Sequence, residues 1–555
     1  MLYLRLREEI MKITNIRKLI ATFGATALIL SGASFVATSA HASDPVCTTV
    51  GGAETCNGTL SNGAAYKTVL PGNFNGTFFF WQHGFRSSYP YPGYTPPKGV
   101  EELTPYSNNT GKDVTKDMLA SGYGIAAYDC SSTGLHGWNT ADCVEMLKDL
   151  ITTTKAKYTI AHSVVYGSSM AGAVLTPFIE KYPNLADAVG IMAGVTPPVT
   201  NEIRSGCDMF YIFSVFFDPT IKGCTVMGTK GVPGHYAVLG DFAKVATLLT
   251  AWSKNLGAPG LEYPAALKGS GIPQRSALLL AGLIAGLPTK SAHMDGISTS
   301  ALIPEQSINS TVAILENTQE LLGTAYFAGQ AISELVGPGF YDNTKTDYSA
   351  LLSDADAGRF NLGLSGDNAI TAMLGVLAAS PRITGDPAAM TKAAALDKSS
   401  FNTSKPVVLL SNEADRLVLA GNSQLFVNKE KVNFDARLAA WQAKYDAASL
   451  TDKLVLNQSK PVWNVLAMYA LTPETYTKFD ATTGVPLLTK ASLSPSGVGH
   501  QSFTQNQTMS WVKILAQSAK SGKIPPKKYI DVYLSRDRNF NKDPDYQPGE
   551  LKYQD

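Results

Sequence analysis

A chain of 555 residues exceeds the usual size of one domain, which leaves room for a large domain carrying an insertion, or for two domains. Its formal net charge is +1 and 16% of its residues are charged, so it offers no long-range field to draw in nucleic acid or another strongly charged partner. Recognition has to come from shape and apolar contact.

The first element is a leader. Met11-Lys12-Ile13, with Arg17 and Lys18, precedes the apolar run Leu19 to Leu30 and the small-residue stretch Ala40-His41-Ala42. This predicts a secretory signal peptide over residues 1–42, cleaved after Ala42, and a secreted or periplasmic protein. No later stretch supplies about 20 consecutive apolar residues, so no stable membrane span is expected after cleavage. Export suits the cysteines, whose even number suggests disulfides. Six allow fifteen pairings, and proximity in sequence favours Cys47 with Cys56, Cys130 with Cys143, and Cys207 with Cys224. None has the two-residue spacing of a zinc site and no histidines cluster near them, so neither metal nor cofactor is expected.

Asp44 to about Ala65 reads as an irregular, disulfide-pinned segment. The apolar strand Thr77–Gln82 then ends in His83-Gly84-Phe85, where Gly84 lets the chain turn. A helix end at Met118–Gly124 leads into the strand Ile125–Tyr128 and a loop containing Asp129 and His136, where Asp129 fits a helix cap.

The next strand, Val164-Val165-Tyr166, runs into Gly167-Ser168-Ser169-Met170-Ala171-Gly172 and a helix ending near Tyr182-Pro183. A serine on such a strand-turn-helix is held in a strained conformation that lifts its hydroxyl off the sheet edge and leaves the following N–H open to an oxyanion. Small residues are needed two places to either side. Gly167 and Ala171 satisfy this around Ser169, whereas centring on Ser168 would put Tyr166 and Met170 in the crowded positions.

Ala186–Gly194 is a further strand. From Thr200 to Ser404 the pattern turns helical, with periodic stretches at 236–256, 276–287, 311–336 and 369–379. Strands resume at Lys405–Ser411, which empties into Asn412-Glu413-Ala414-Asp415. A nucleophilic serine needs a base and a carboxylate to orient it. Asp415 and Glu413 both stand beyond the strand end as candidates for the carboxylate, Asp415 leading because Arg416-Leu417-Val418-Leu419 after it resembles the acid loop of known hydrolases, and His500 is the one histidine of seven that follows. His500 lies in a polar, small-residue loop ahead of a helix at Met509–Leu515, where its ring can turn between nucleophile and leaving group. The tail from about Gly522 contains Asp537 to Asp543, whose alternating oxygens suggest a calcium loop; Lys542 stands where the turn glycine should be, and a plain polar tail is the preferred reading.

His83-Gly84-Phe85, the Gly167–Gly172 turn, Asp415 and the late Gly499-His500, in that chain order, resemble the α/β-hydrolase superfamily. The resemblance implies an α/β fold with a mostly parallel central sheet flanked by helices, divided into core (43–199), a helical cap insertion (200–404), core (405–520) and a tail (521–555). It implies a Ser169, Asp415, His500 triad, an oxyanion hole from the amides of Met170 and Phe85, and an oxyanion loop at His83 and Gly84, with His83 orienting the loop and not serving as base; it also lays the loop after Tyr128 over the site, so that Asp129 or His136 could line the pocket. The implied activity is cleavage of a carboxylic ester, small or polymeric, through an acyl-enzyme. Ala171 replaces the usual second glycine, and no subfamily follows. Two alternatives stay open. One is a peptidase that binds a substrate amine through Glu316, Glu320 or Glu334; the other is a non-catalytic binding protein of the same fold.

Overall fold

The computed structural model describes residues 43–91, 94–107, 111–131, 136–255, 274–290, 304–361, 367–472, 496–537, 539–541, 543, 546–549 and 551–553. The predicted leader at 1–42 lies outside them.

The chain opens with β1 (Ser43–Val50) and β2 (Ala53–Thr59), an antiparallel hairpin. This corrects the expectation of an irregular start. Gly51 and Gly52, both at positive φ, make the two-residue turn, and Cys47 stands opposite Cys56 so that the disulfide closes across the strands. β3 (Ala65–Leu70) and the fully buried β4 (Thr77–Gln82) follow, then the short pair β5 (Tyr106–Ser107) and β6 (Lys112–Asp113), helix α1 (Thr115–Ala120) and β7 (Gly124–Tyr128). Helix α2 (Thr140–Lys157), β8 (His162–Ser168), α3 (Ala171–Lys181) and β9 (Ala188–Met192) complete the first half.

Between β9 and β10 the described elements are all helical: α4 (Thr200–Phe216), a short 3-10 turn (Gly223–Val226), α5 (Gly231–Asn255), α6 (Gln274–Ala285), α7 (Pro304–Val336), α8 (Asp354–Asn361), α9 (Asp367–Ala379) and α10 (Pro387–Ala395). Leu278 to Leu280, Leu283 and Ile284 on α6 are buried, the core of this helical layer. The sheet resumes with β10 (Val407–Asn412), and after α11 (Gly421–Ala447) and α12 (Leu450–Gln458) closes with β11 (Val465–Ala470). Helices α13 (Gln505–Ser521) and α14 (Lys527–Leu534) end the fold.

The nine strands run in the order β1-β2-β3-β7-β4-β8-β9-β10-β11, antiparallel from β1 to β7 and parallel from β7 to β11. Alternation along the strands fills both faces. Phe78, Phe80, Val165 and Leu409 belong to the core under α2, α3 and the helical layer, while Phe79, Trp81, Tyr166 and Leu410 pack with Trp511 and Leu515 of α13. Unbroken apolar runs are what a parallel strand covered on both sides requires. The mostly parallel sheet, the helices on both faces and the serine turn between β8 and α3 make this an α/β-hydrolase fold.

The tail is not a plain polar one. It contributes α14, sends the Tyr546 hydroxyl to Glu413 Oε1 at 2.7 Å, and then crosses to the helical layer. There Lys552 pairs with Asp356 at 2.6 Å and the buried Tyr553 donates to Asp208. Asp537, the first position of the suggested calcium loop, accepts from the Thr504 hydroxyl and the Asn539 N–H. Further ties hold the layer to the core. Leu419 and Asn422 donate to Glu202 of α4, Arg416 pairs with Glu320 of α7 at 2.8 Å, and Thr140 donates to the Leu396 carbonyl at 3.0 Å.

Candidate active site

Parallel sheets open a crevice where successive strands leave in opposite directions. Here that point lies between β4 and β8, because β7 flanks β4 on one side and β8 on the other. The carboxyl end of β4 delivers His83-Gly84 and that of β8 delivers Ser169.

Ser169 adopts φ 60°, a left-handed conformation that non-glycine residues avoid and that tight functional turns enforce. Its N–H donates to the Met192 carbonyl, and its own carbonyl accepts from Gly172 and Val195. Close approach explains the small residues. A Cβ on Gly167 would sit 2.4 Å from the Gln82 carbonyl oxygen and 2.5 Å from the Ala171 Cβ. A Cβ on Gly84 would sit 3.0 Å from the Ser169 Cβ and 3.5 Å from its Oγ, so the loop after β4 lies directly against the serine. Neither the Met170 nor the Phe85 N–H donates to any described residue, and Met170 is buried. Two open amides therefore flank Ser169, one of them at the positive end of α3.

His83 fixes the loop. Its Nε2 accepts from the Cys130 N–H at 2.9 Å, so Nδ1 carries the proton and donates to the Gly84 carbonyl at 2.6 Å. Burial first, and then the neighbouring Arg86 charge, hold its pKa well below the ordinary histidine value. A neutral ring with both nitrogens engaged suits a brace and not a base. Asp129 and His136 belong to the same buried network: the Asp129 carboxylate takes Arg86 Nη1 at 3.3 Å and the Gly99 N–H at 3.0 Å, with His136 Nδ1 at 3.5 Å.

Asp415 and His500 meet although 85 residues separate them. The loops that carry them are zipped together, with Ala414 N–H donating to the Gly497 carbonyl, Gly499 N–H to that of Ala414, and Asn412 Nδ2 to that of Gly499. His500 Nδ1 lies 3.0 Å from Asp415 Oδ2. The fully buried carboxylate also accepts the Leu417 and Val418 N–H groups at 3.0 Å. Glu413 faces away, toward Lys290, Thr472 and Tyr546. Burial works against a charged His500, but the Asp415 charge and hydrogen bond, with the more distant Glu320 and Glu202, outweigh it and raise its pKa.

Ser169 is not in hydrogen-bond contact with His500. Its hydroxyl donates to no described residue, while the amide nitrogen of Gln501 stands 3.4 Å from His500 Nε2 and donates to the Ser168 hydroxyl at 2.8 Å. Catalytic contacts are often loose in ligand-free enzymes and tighten with substrate. Sequence reading missed Gln501, and it missed Glu202, whose carboxyl is pushed up to about 7 by burial and the nearby Asp415. Neither has a sequence signature. Glu202 is simply an acid in the first turn of a helix, and only the fold brings it behind the acid loop.

The three disulfides are Cys47–Cys56, Cys130–Cys143 and Cys207–Cys224. Among the described residues, no helix is long and apolar enough to cross a membrane.

No protein-family profile matches the chain, and no curated protein matches it. Solved structures of similar fold include the tannin acyl hydrolase from Aspergillus niger, 11% identical over 89% of this chain and 86% of that one at a TM-score of 0.33. Feruloyl esterase B from Aspergillus oryzae is 12% identical over 85% and 81%, with a TM-score of 0.31. An alpha/beta hydrolase fold protein from Nakamurella multipartita is 12% identical over 76% and 91%, with a TM-score of 0.26.

Proposed function

We propose that the protein is a secreted or periplasmic serine hydrolase that cleaves carboxylic esters through an acyl-enzyme, with Ser169, His500 and Asp415 as its triad. The observation that carries this reading is the pairing of His500 with the fully buried Asp415, 3.0 Å apart, on loops at the same sheet edge as a serine held at φ 60°. On substrate binding, the Ser169 oxygen attacks the acyl carbon while its proton passes to His500 Nε2, and the carbonyl electrons move to an oxygen held by the Met170 and Phe85 amides. Asp415 stabilises the imidazolium, which then protonates the departing alcohol. Water, deprotonated by the same ring, releases the acid.

The helical layer between β9 and β10 would act as a cap that excludes water and shapes the acyl or alcohol pocket. Three disulfides support export. Ester cleavage is favoured over peptide cleavage because two of the three candidate amine-binding acids are already engaged: Glu320 pairs with Arg416, and Glu334 accepts from Gly231 and Gln330, while the Glu316 side chain lies outside the described residues. Fluorophosphonate labelling tests the reading. Wild-type protein is expected to label at Ser169 and to hydrolyse p-nitrophenyl acyl esters, and Ser169→Ala to do neither. Folded wild type that resists the label would return the chain to the binding proteins, and turnover of aminoacyl arylamides in place of esters would make it a peptidase.

A further inference from the structure

We propose that Gln501 is a positioning residue that ties the His500 ring to the nucleophile turn through Ser168 and keeps Nε2 as a proton acceptor until the Ser169 proton arrives. The inference rests on the serine-hydrolase reading and adds a member to its machinery.

Three observations converge on Gln501. Its backbone is left-handed at φ 55°, one of four such non-glycine residues described, and Ser169 is another. A conformation of that kind persists where the surroundings over-determine it, and it gathers at functional sites. Its amide nitrogen donates to Ser168 Oγ at 2.8 Å, and Ser168, the last residue of β8, is 1% exposed, so the anchor is a rigid strand end next to the nucleophile. The same nitrogen stands 3.4 Å from His500 Nε2. Because Nδ1 faces Asp415 and holds its proton there, Nε2 presents a lone pair, and a lone pair requires a donor opposite it. The amide N–H supplies one.

The charges around the ring give this contact a purpose. Asp415 on the acid loop, Glu202 on α4 and Glu320 on α7 all favour the imidazolium, and Arg416, the nearby cation, is paired with Glu320. A base so surrounded risks being protonated by solvent before substrate arrives. A donor aimed at Nε2 stabilises the neutral ring and opposes the three carboxylates. When the Ser169 hydroxyl approaches, it takes over the lone pair. The amide keeps its hold on Ser168, and the ring stays aimed at the turn.

The test compares Gln501→Gly, Gln501→Glu, Ser168→Ala and the Gln501→Gly/Ser168→Ala double variant with wild type on a p-nitrophenyl ester, across pH. Glycine accepts φ 55° without strain, so Gln501→Gly removes the amide and spares the backbone. Gln501→Gly and Ser168→Ala are each expected to lower kcat about tenfold with KM nearly unchanged, and the double variant to be no worse than the poorer single one. The acidic limb of kcat/KM is expected to move to higher pH in Gln501→Gly, and by about one unit or more in Gln501→Glu, whose carboxylate favours the imidazolium. Superimposable pH profiles, or losses that simply multiply, would overturn the proposal. Ser169→Ala separates the two levels. If it is inactive while Gln501→Gly matches wild type, only the role of Gln501 falls; if it retains full activity, the serine-hydrolase reading falls as well.

Discussion

Gly84→Ala is the sharpest probe of the proposed oxyanion loop. The added methyl would lie 3.0 Å from the Ser169 Cβ, 3.5 Å from the Ser168 carbonyl oxygen and 3.5 Å from the Ser169 Oγ. The first of these is tighter than nearly all real Cβ contacts, and its neighbour is fixed to backbone, so the loop has to give by a few tenths of an ångström. Oxyanion donors act at about 2.7–3.1 Å from the developing charge, and losing one typically lowers kcat by about a hundred- to a thousandfold. Overpacking of this kind costs about 1–3 kcal/mol, so the protein should still fold. The expected result is a kcat on a p-nitrophenyl ester reduced by at least about tenfold, with KM little changed and only a modest fall in melting temperature. Gly240→Ala serves as the control, because its Cβ meets nothing within 4 Å on an exposed position of α5. It should leave activity intact and gain a few tenths to about 1 kcal/mol of stability. A Gly84→Ala enzyme with wild-type kcat would refute the placement of the Gly84–Phe85 segment in the hole.

Three further predictions concern charge and burial. Since a protonated His500 cannot accept the serine proton and its pKa is raised, kcat/KM should fall as pH drops through a midpoint above the ordinary 6.5; Asp415→Asn should move that midpoint down and lower kcat by up to about 10⁴-fold. Asp397, buried with Oδ2 accepting the Val199 N–H at 2.9 Å, is pushed up to about 7. Its folded pKa exceeds the unfolded one, so its stabilising contribution is complete below about pH 4 and is lost as pH rises through about 7. Asp397→Asn should therefore raise the denaturation midpoint at pH 8 more than at pH 5, and an equal shift at both would contradict the assignment. Tyr553→Phe should lower stability by about 1–3 kcal/mol in urea, because Asp208 stays buried with one donor fewer; an unchanged midpoint would mean that this tail contact contributes nothing.

The parts legible in the sequence were those governed by local steric rules or chain order. Gly167 and Ala171 around Ser169, the apolar strand before Asp415 and the position of His500 after it are visible as text because a turn, a buried strand and the chain order of the proposed triad constrain residue types nearby. The preferred cysteine pairs were legible for the same reason, each partner being close in sequence. The opening hairpin was missed although Gly51-Gly52 marks its turn, because β1 is largely exposed, β2 is mostly half-buried, and neither carries much apolar alternation. Burial that depends on distant segments left no local trace. Tyr553 reads as a polar tail residue until Asp208 is placed beside it, and Glu202 reads as an ordinary helix-start acid until Leu419 and Asn422 are.

The ties between the helical layer and the sheet domain bear on how anything reaches Ser169. Glu202 on α4, Glu320 on α7, Leu396 beyond α10, and Asp208 and Asp356 through the tail are fastened at separate places. Swinging that layer away like a door on one hinge would break all of them together, at several kcal/mol, whereas a small parting of neighbouring helices breaks few or none. With that layer as the proposed cap, traffic to Ser169 would pass through gaps that behave as a sieve, and molecular girth, more than the timing of a large swing, would decide what gets in.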